Sequence, residues 1–214
     1  MSVHIFDNLL RKTSFSVKLK IALLTVICVA VYQKQYIELD NWFLDLLGER
    51  NNNYLVFCAR AIYTIGDTYI AGAITAASLI VMVRKNYQLE AQTLAFATLG
   101  ILISIDEILK PFFDRNRPPQ PRLVDDVSRH SFPSGHAAGN LVLYFYLSFI
   151  VAIKYPQLKT YIYSLATLVV VLIGLASVYT KAHWLTDVLA GYIFGYLWLI
   201  ISLNLLKFLQ HQSN

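Results

Sequence analysis

The sequence predicts an all-α fold: an integral membrane bundle of six helices with its active site at one membrane interface. Three observations point there. Of 214 residues, 57% are hydrophobic and only 14% charged, against about 25% charged in an ordinary soluble domain. Six segments approach the roughly 20 mostly apolar residues that a spanning helix needs. The polar residues with chemical potential stand where those segments begin or end. Mean hydropathy is +0.51, and a single membrane-embedded domain over residues 1–214 is expected at this length.

In chain order the predicted spans are 17–32, 66–83, 89–109, 137–153, 160–179 and 188–206. The first and fourth are short and borrow flanking residues. Tyr32-Gln33-Lys34 follows the first run in place of a small-residue cleavage site, so it reads as a retained span and not a signal peptide. Between spans one and two, Trp42, Phe43, Leu46 and Leu47 share one helical face within 33–65. That segment reads either as an amphipathic helix on the membrane surface or as a re-entrant, partly buried piece. No repeat or low-complexity tract is present. The one sizeable loop rich in Pro and charge is 111–133, and long irregular connections are usually functional or disordered. Cys28 and Cys58 suggest neither a disulfide framework nor a metal site, and read as small packing residues.

Six spans put both termini on one side, and the 110–136 loop and 181–187 turn together on the other. Lys and Arg in short loops set orientation, and here they tie. The terminal side has Arg11, Lys12, Lys18, Lys20, Arg84, Lys85, Lys154, Lys159 and Lys207; the opposite side has Lys34, Arg50, Arg60, Lys110, Arg115, Arg117, Arg122, Arg129 and Lys181. Several cations of the second set have a chemical role, and acidic residues accompany them, so the termini are expected in the cytoplasm and the active face outside it. The chain length suits a bacterial cytoplasmic membrane and is equally compatible with an organelle membrane. The net charge of +5 does not imply a nucleic-acid partner, because the cations flank apolar runs and form no basic patch interleaved with aromatics. The bilayer is the expected partner, and the oligomeric state is left open. Gly191-x3-Gly195 permits close helix packing, within the chain before between chains.

Three short segments carry the chemistry. Lys110 ends the third span, and Arg117 follows in the loop, stiffened by Pro118. Arg presents a planar fork to two oxygens while Lys presents a mobile point charge, so the two can cradle a phosphate; each alone would also serve as an interfacial anchor. Asp106 and Glu107 lie one turn from Lys110, placed either to hold its ammonium or to sit among headgroups. Pro133-Ser134-Gly135-His136 precedes the fourth span. Ser134 can cap that helix, Gly135 lets backbone approach an anion, and the helix dipole favours negative charge there. His136 is placed to act as a general acid. His183 and Asp187, four apart, share a face on a helix entering the last span. The carboxylate can hold one imidazole nitrogen protonated and leave the other as nucleophile. Phosphoryl transfer relies on such fixed cations and donors.

These segments resemble the signatures of the type-2 phosphatidic acid phosphatase superfamily of membrane lipid phosphatases. Lys110-x6-Arg117-Pro118 is similar to its Lys-x6-Arg-Pro, Pro133-Ser134-Gly135-His136 to its Pro-Ser-Gly-His, and Ser177-x5-His183-x3-Asp187 occupies the place of Ser-Arg-x5-His-x3-Asp. The resemblance spans about 109–191. It implies metal-independent, cofactor-free hydrolysis of a lipid phosphate through a phosphohistidine. His183 would be the nucleophile, Asp187 its orienting acid and His136 the acid, then base. Lys110, Arg117, Ser134 and the Gly135 amide would hold the phosphate. Phosphatidic acid, phosphatidylglycerol phosphate and a polyprenyl diphosphate are the candidate substrates.

One position departs. Ala176-Ser177 stands where the family has Ser-Arg, so a phosphate-binding cation is missing. Lys181 would share a helical face with Ser177 if the helix continued, and either replaces that Arg or serves as an anchor. The substitution keeps two alternatives open beside the hydrolase: a lipid phosphotransferase of the same family and a catalytically weak lipid-phosphate-binding protein.

Overall fold

Inside lipid a chain segment must satisfy its own backbone hydrogen bonds, and a helix does so without a partner. The computed structural model describes residues 13–33, 38–47, 52–119, 121–125 and 128–212. Helices α1 (Thr13–Tyr32), α2 (Glu38–Leu46), α3 (Asn53–Ile65) and α4 (Thr68–Arg84) lead into α5 (Gln88–Ile103). α5 runs on through a π-helical segment, Ser104–Leu109, and a last turn, Lys110–Phe113. After a long loop come α6 (Gly135–Lys154), a 3-10 turn at Pro156–Leu158, α7 (Lys159–Tyr179) and α8 (Leu185–Gln212). Among the described residues there is no strand beyond an isolated bridge between Asn116 and His130.

Four of these helices are long and apolar enough to cross a membrane: Gln88–Phe113, Gly135–Lys154, Pro156–Tyr179 and Leu185–Gln212. The pair α3–α4, bent by 43°, makes a fifth if it counts as one span. The described residues thus supply four or five of the six expected spans, and the expected first span falls on α1, which is not among them. The second span also differs from expectation. Residues 53–65, read as part of a surface-lying or re-entrant stretch, form a helix of their own, and Asp67 restarts the chain by accepting the Tyr69 amide at 2.8 Å. Of the orienting residues, Arg11, Lys12, Lys34 and Arg50 lie outside the described residues.

The core lies among α5, α6 and α8, where Leu94, Ile101, Val142, Tyr146, Leu199 and Leu206 are buried together. α7 flanks α6, α4 flanks α5, and α1 leans on α8 through Ile27, Val31 and Ala190. Outward-facing apolar side chains remain bare: Leu99, Leu165 and Ile201 are 58%, 63% and 52% exposed. A surface this apolar is suited to acyl chains and not to water.

Small residues let the site-bearing helices meet. A Cβ on Gly191 of α8 would lie 2.6 Å from the Ser134 carbonyl oxygen, and one on Gly195 2.8 Å from that of Ala138. Gly191-x3-Gly195 therefore packs α8 against α6 within the chain. α2 does not keep the four expected residues on one face: Trp42 and Leu46 are 58% and 63% exposed, while Phe43, Leu44 and Leu47 pack against Ala137, Val178 and Val188. Its Asp40, only 2% exposed, points the other way into the protein. Cys28 and Cys58 are free and half-buried.

Candidate active site

Lys110 emerges from the π-helical end of α5. Such segments widen the helix by one residue per turn and recur at functional sites. Asp106, inside the segment, accepts from the Lys110 Nζ at 2.5 Å, and Ser128 Oγ lies 3.4 Å from the same nitrogen. Of the two acids flagged by sequence, Asp106 is the one that holds the ammonium. Both the Lys110 Nζ and the Asp106 Oδ1 lie 3.9 Å from where a Gly135 Cβ would stand. Glycine thus leaves the α6 N-terminus open beside the cation.

Asp114, left-handed at φ 43°, ends the helix and turns the chain into the loop. Arg117 follows, 8% exposed. Its Nε donates to the Ser128 carbonyl at 2.5 Å and its Nη2 to Ser128 Oγ at 3.0 Å. Its Nη1 donates to the Ala182 carbonyl and lies 3.4 Å from His183 Nε2. Backbone carbonyls thus fix the guanidinium beside the expected nucleophile.

Ser134 caps α6, its Oγ accepting the Ala137 amide at 3.3 Å, and its own amide donates to the Asp187 carbonyl at 3.0 Å. The side chain is fully buried, so the hydroxyl is turned to the helix and not outward. His136 stacks on Tyr63 of α3, ring centroids 4.2 Å apart at 18°. Its Nε2 is buried with no hydrogen-bond partner among the described atoms. Buried polar atoms are rarely left this way, and a ligand oxygen would satisfy it. Its ring lies 6.4 Å from that of His183, close enough for both to touch one phosphoryl group.

His183 was expected on the last helix, but α8 starts at Leu185. The reason is Asp187, whose Oδ2 accepts the Trp184 amide at 3.0 Å and so caps the helix at that point. His183 stays in the preceding turn, yet its Nδ1 is still 3.5 Å from Asp187 Oδ2. The nearer acceptor, missed from sequence, is the Ser131 carbonyl at 2.8 Å. With the proton assigned to Nδ1, Nε2 keeps its lone pair. Burial pulls the His183 pKa down to about 4 and Arg117 adds to this, against the Asp187 carboxylate, which accepts from the ring and pulls the other way. The imidazole is neutral at pH 7.

Asp187 is fully buried, and its Oδ1 accepts from Arg115 Nη1. Arg115 Nη2 reaches Asp40 Oδ2 at 2.6 Å. Sequence reasoning gave Arg115 and Asp40 no part in the site; each sits far along the chain from its partner, so no short-range spacing signals the contact.

The departure at Ser177 is accommodated locally, its Oγ donating to the Ile173 carbonyl at 2.8 Å. Lys181 does not share its face. α7 ends at Tyr179, and Lys181 adopts φ 57° in the turn that follows. The helical continuation assumed from sequence fails because the chain must reverse there to bring His183 inward.

A cavity of about 880 Å³ runs from these groups along α4 and α5. Lys110, Arg117, Ser128, Gly135, His136 and His183 line its polar end; Ala71, Thr75, Leu79, Leu99, Leu102 and Leu143 line the remainder. Ser134, Asp187 and Lys181 are not among its lining residues. Two fixed cations with the Asp106 and Glu107 carboxylates near them, an unpaired imidazole nitrogen and the neutral His183 ring thus face one space with an apolar extension.

The model of the PAP2 superfamily matches residues 91–210, more than half of the chain. The chain belongs to the PAP2 superfamily. Phosphatidylglycerophosphatase B of Bacillus subtilis (strain 168) is 33% identical over 117 residues, 53% of this chain and 56% of that protein. The match therefore spans a little over half the length of this relative. The PAP2 fold is also seen in the crystal structure of the first transmembrane PAP2 type phosphatidylglycerolphosphate phosphatase from Bacillus subtilis. That structure superposes with a TM-score of 0.78 at 20% identity, covering 92% of this chain and 97% of that one.

Proposed function

We propose that this PAP2 protein hydrolyses a lipid phosphate or diphosphate through a phosphohistidine on His183. The observation that carries the reading is the His183 Nε2. It belongs to a neutral imidazole, lies 3.4 Å from Arg117 Nη1, and opens on a cavity whose polar end holds Lys110 and Arg117 beside Asp106, Glu107 and Asp125, and whose remainder is an apolar extension. Lys110, Arg117 and the Gly135 amide hold the phosphoryl oxygens, and the α6 N-terminus adds its dipole. The Nε2 lone pair attacks phosphorus, the bond from phosphorus to the lipid oxygen breaks, and His136, protonated once the anionic substrate lies against it, gives that oxygen its proton. Water then attacks the phosphohistidine, His136 takes the water proton, and the P–N bond breaks to release inorganic phosphate.

The apolar extension accommodates an acyl or prenyl tail. The name of the curated relative makes phosphatidylglycerol phosphate the leading substrate, with phosphatidic acid and a polyprenyl diphosphate next. α1 supplies the sixth span on this reading, with the termini in the cytoplasm and the site at the opposite face.

Phosphate release from these three lipids, wild type beside His183→Ala, tests the proposal. Release from one or more by wild type and none by the variant is expected. Equal rates would overturn the reading, and label passing to a second lipid without free phosphate would identify a phosphotransferase.

A further inference from the structure

A fully buried carboxylate beside a neutral histidine needs a cation to remain ionised. Arg115 supplies it for Asp187, yet a guanidinium dedicated to Asp187 alone would cancel the negative charge that His183 requires as its ring turns cationic on phosphorylation. The structure resolves this conflict with a second acid. Asp40 of α2 takes the other arm of Arg115 at 2.6 Å. It also accepts from Thr186, from the amide at 2.8 Å and the hydroxyl at 2.7 Å. Thr186 Oγ1 accepts in turn from Arg115 Nη1 at 2.8 Å. Asp40 is 2% exposed and Thr186 3%, so this network is shielded from solvent and its charges act at short range. Arg115 also lies over the Trp184 ring, 5.5 Å from its centroid.

We propose that Asp40 is a positioning residue for the catalytic histidine: by sharing Arg115 with Asp187, it leaves the buried cluster with one net negative charge that stabilises His183 as it becomes a cationic phosphohistidine. The inference deepens the proposed function and rests on it. It assigns α2 a part in the chemistry without contact with substrate, its carboxylate acting through Arg115 and Asp187.

The test uses the full chain in mixed micelles of phosphatidic acid or phosphatidylglycerol phosphate. Asp40→Asn keeps the shape and removes the charge. It lowers kcat roughly 10- to 100-fold, as loss of a partner behind a reacting group does, with KM changed less than about twofold because ground-state binding is untouched. Orthovanadate, which copies phosphorus bonded to the histidine, loses inhibitory potency by the same factor as kcat. Inorganic phosphate inhibits as before. Asp40→Glu restores part of kcat. Thr186→Val, which loosens Asp40 and keeps every charge, shows the same split on a smaller scale and decides the matter if Asp40→Asn does not fold. Unchanged kcat, or vanadate and phosphate weakened equally, would overturn the proposal and leave Asp40 a mere anchor for α2. An active His183→Ala would instead remove the phosphohistidine reading beneath it.

Discussion

His183 Nδ1 lies 2.8 Å from the carbonyl oxygen of Ser131 and 3.5 Å from the carboxylate of Asp187. The backbone therefore sets the tautomer, and the acid supplies mainly charge. Ser131 is itself fixed, its amide donating to the Arg115 carbonyl at 2.9 Å and its hydroxyl lying 3.1 Å from the Asn116 carbonyl.

Asp187→Asn is expected to reduce kcat by about 10²-fold, short of the ~10⁴-fold seen where a wrong tautomer results. Steady-state rates on the preferred lipid check this. A loss of the larger size would show that Asp187, and not Ser131, selects the tautomer.

The low pKa of His183 ties folding to pH. Its folded value is about 4, below the ~6.5 of an unfolded chain. Above the unfolded value neither state binds the proton and the group contributes nothing. As pH falls from there toward the folded value, only the unfolded state is protonated, so stability declines. The expected decline is a few kcal/mol across that window. Thermal unfolding in detergent between pH 7 and 4.5 measures it, and His183→Gln should make the decline shallower.

The cations divide by position. Lys110→Ala and Arg117→Ala each lower kcat/KM by at least about 10²-fold, because both face the transferring group. Lys181→Ala changes it less than about twofold, as expected of a residue outside the cavity. A large effect at Lys181 would mean the turn rearranges to bring its ammonium to substrate.

Gly191→Ala drives a methyl group into the Ser134 carbonyl, a backbone atom that cannot swing aside. The expected loss is about 1–3 kcal/mol, with activity falling as α8 moves off the α6 N-terminus and strains the Ser134–Asp187 hydrogen bond. At Gly72 nothing lies within 4 Å, so Gly72→Ala folds normally. Melting temperatures of the two variants side by side provide the comparison.

Much of the candidate site was legible because its residues stand in short spaced motifs at the ends of apolar runs. Lys110, Arg117, Gly135, His136 and His183 line one cavity. What stayed hidden depended on contacts with no local signature. Asp40 meets Thr186 across 146 residues of chain, and its short amphipathic helix resembles many that merely rest on a membrane. The Ser131 carbonyl has no side-chain identity to read. Lys181 misled for a conformational reason: helical spacing was carried past Tyr179, where the backbone turns left-handed to deliver His183. The π-helical end of α5 is equally silent in sequence, although Asp106 within it and Lys110 just after it, four apart, marked the place.

The most direct test of the central claim is to trap the covalent intermediate. The protein is mixed with a lipid phosphate radiolabelled at phosphorus, quenched within a turnover, and digested to locate the label. The account predicts an acid-labile, base-stable phosphoryl group on His183, absent from His183→Ala. Turnover with no labelled protein, or a label that persists in His183→Ala, would contradict it.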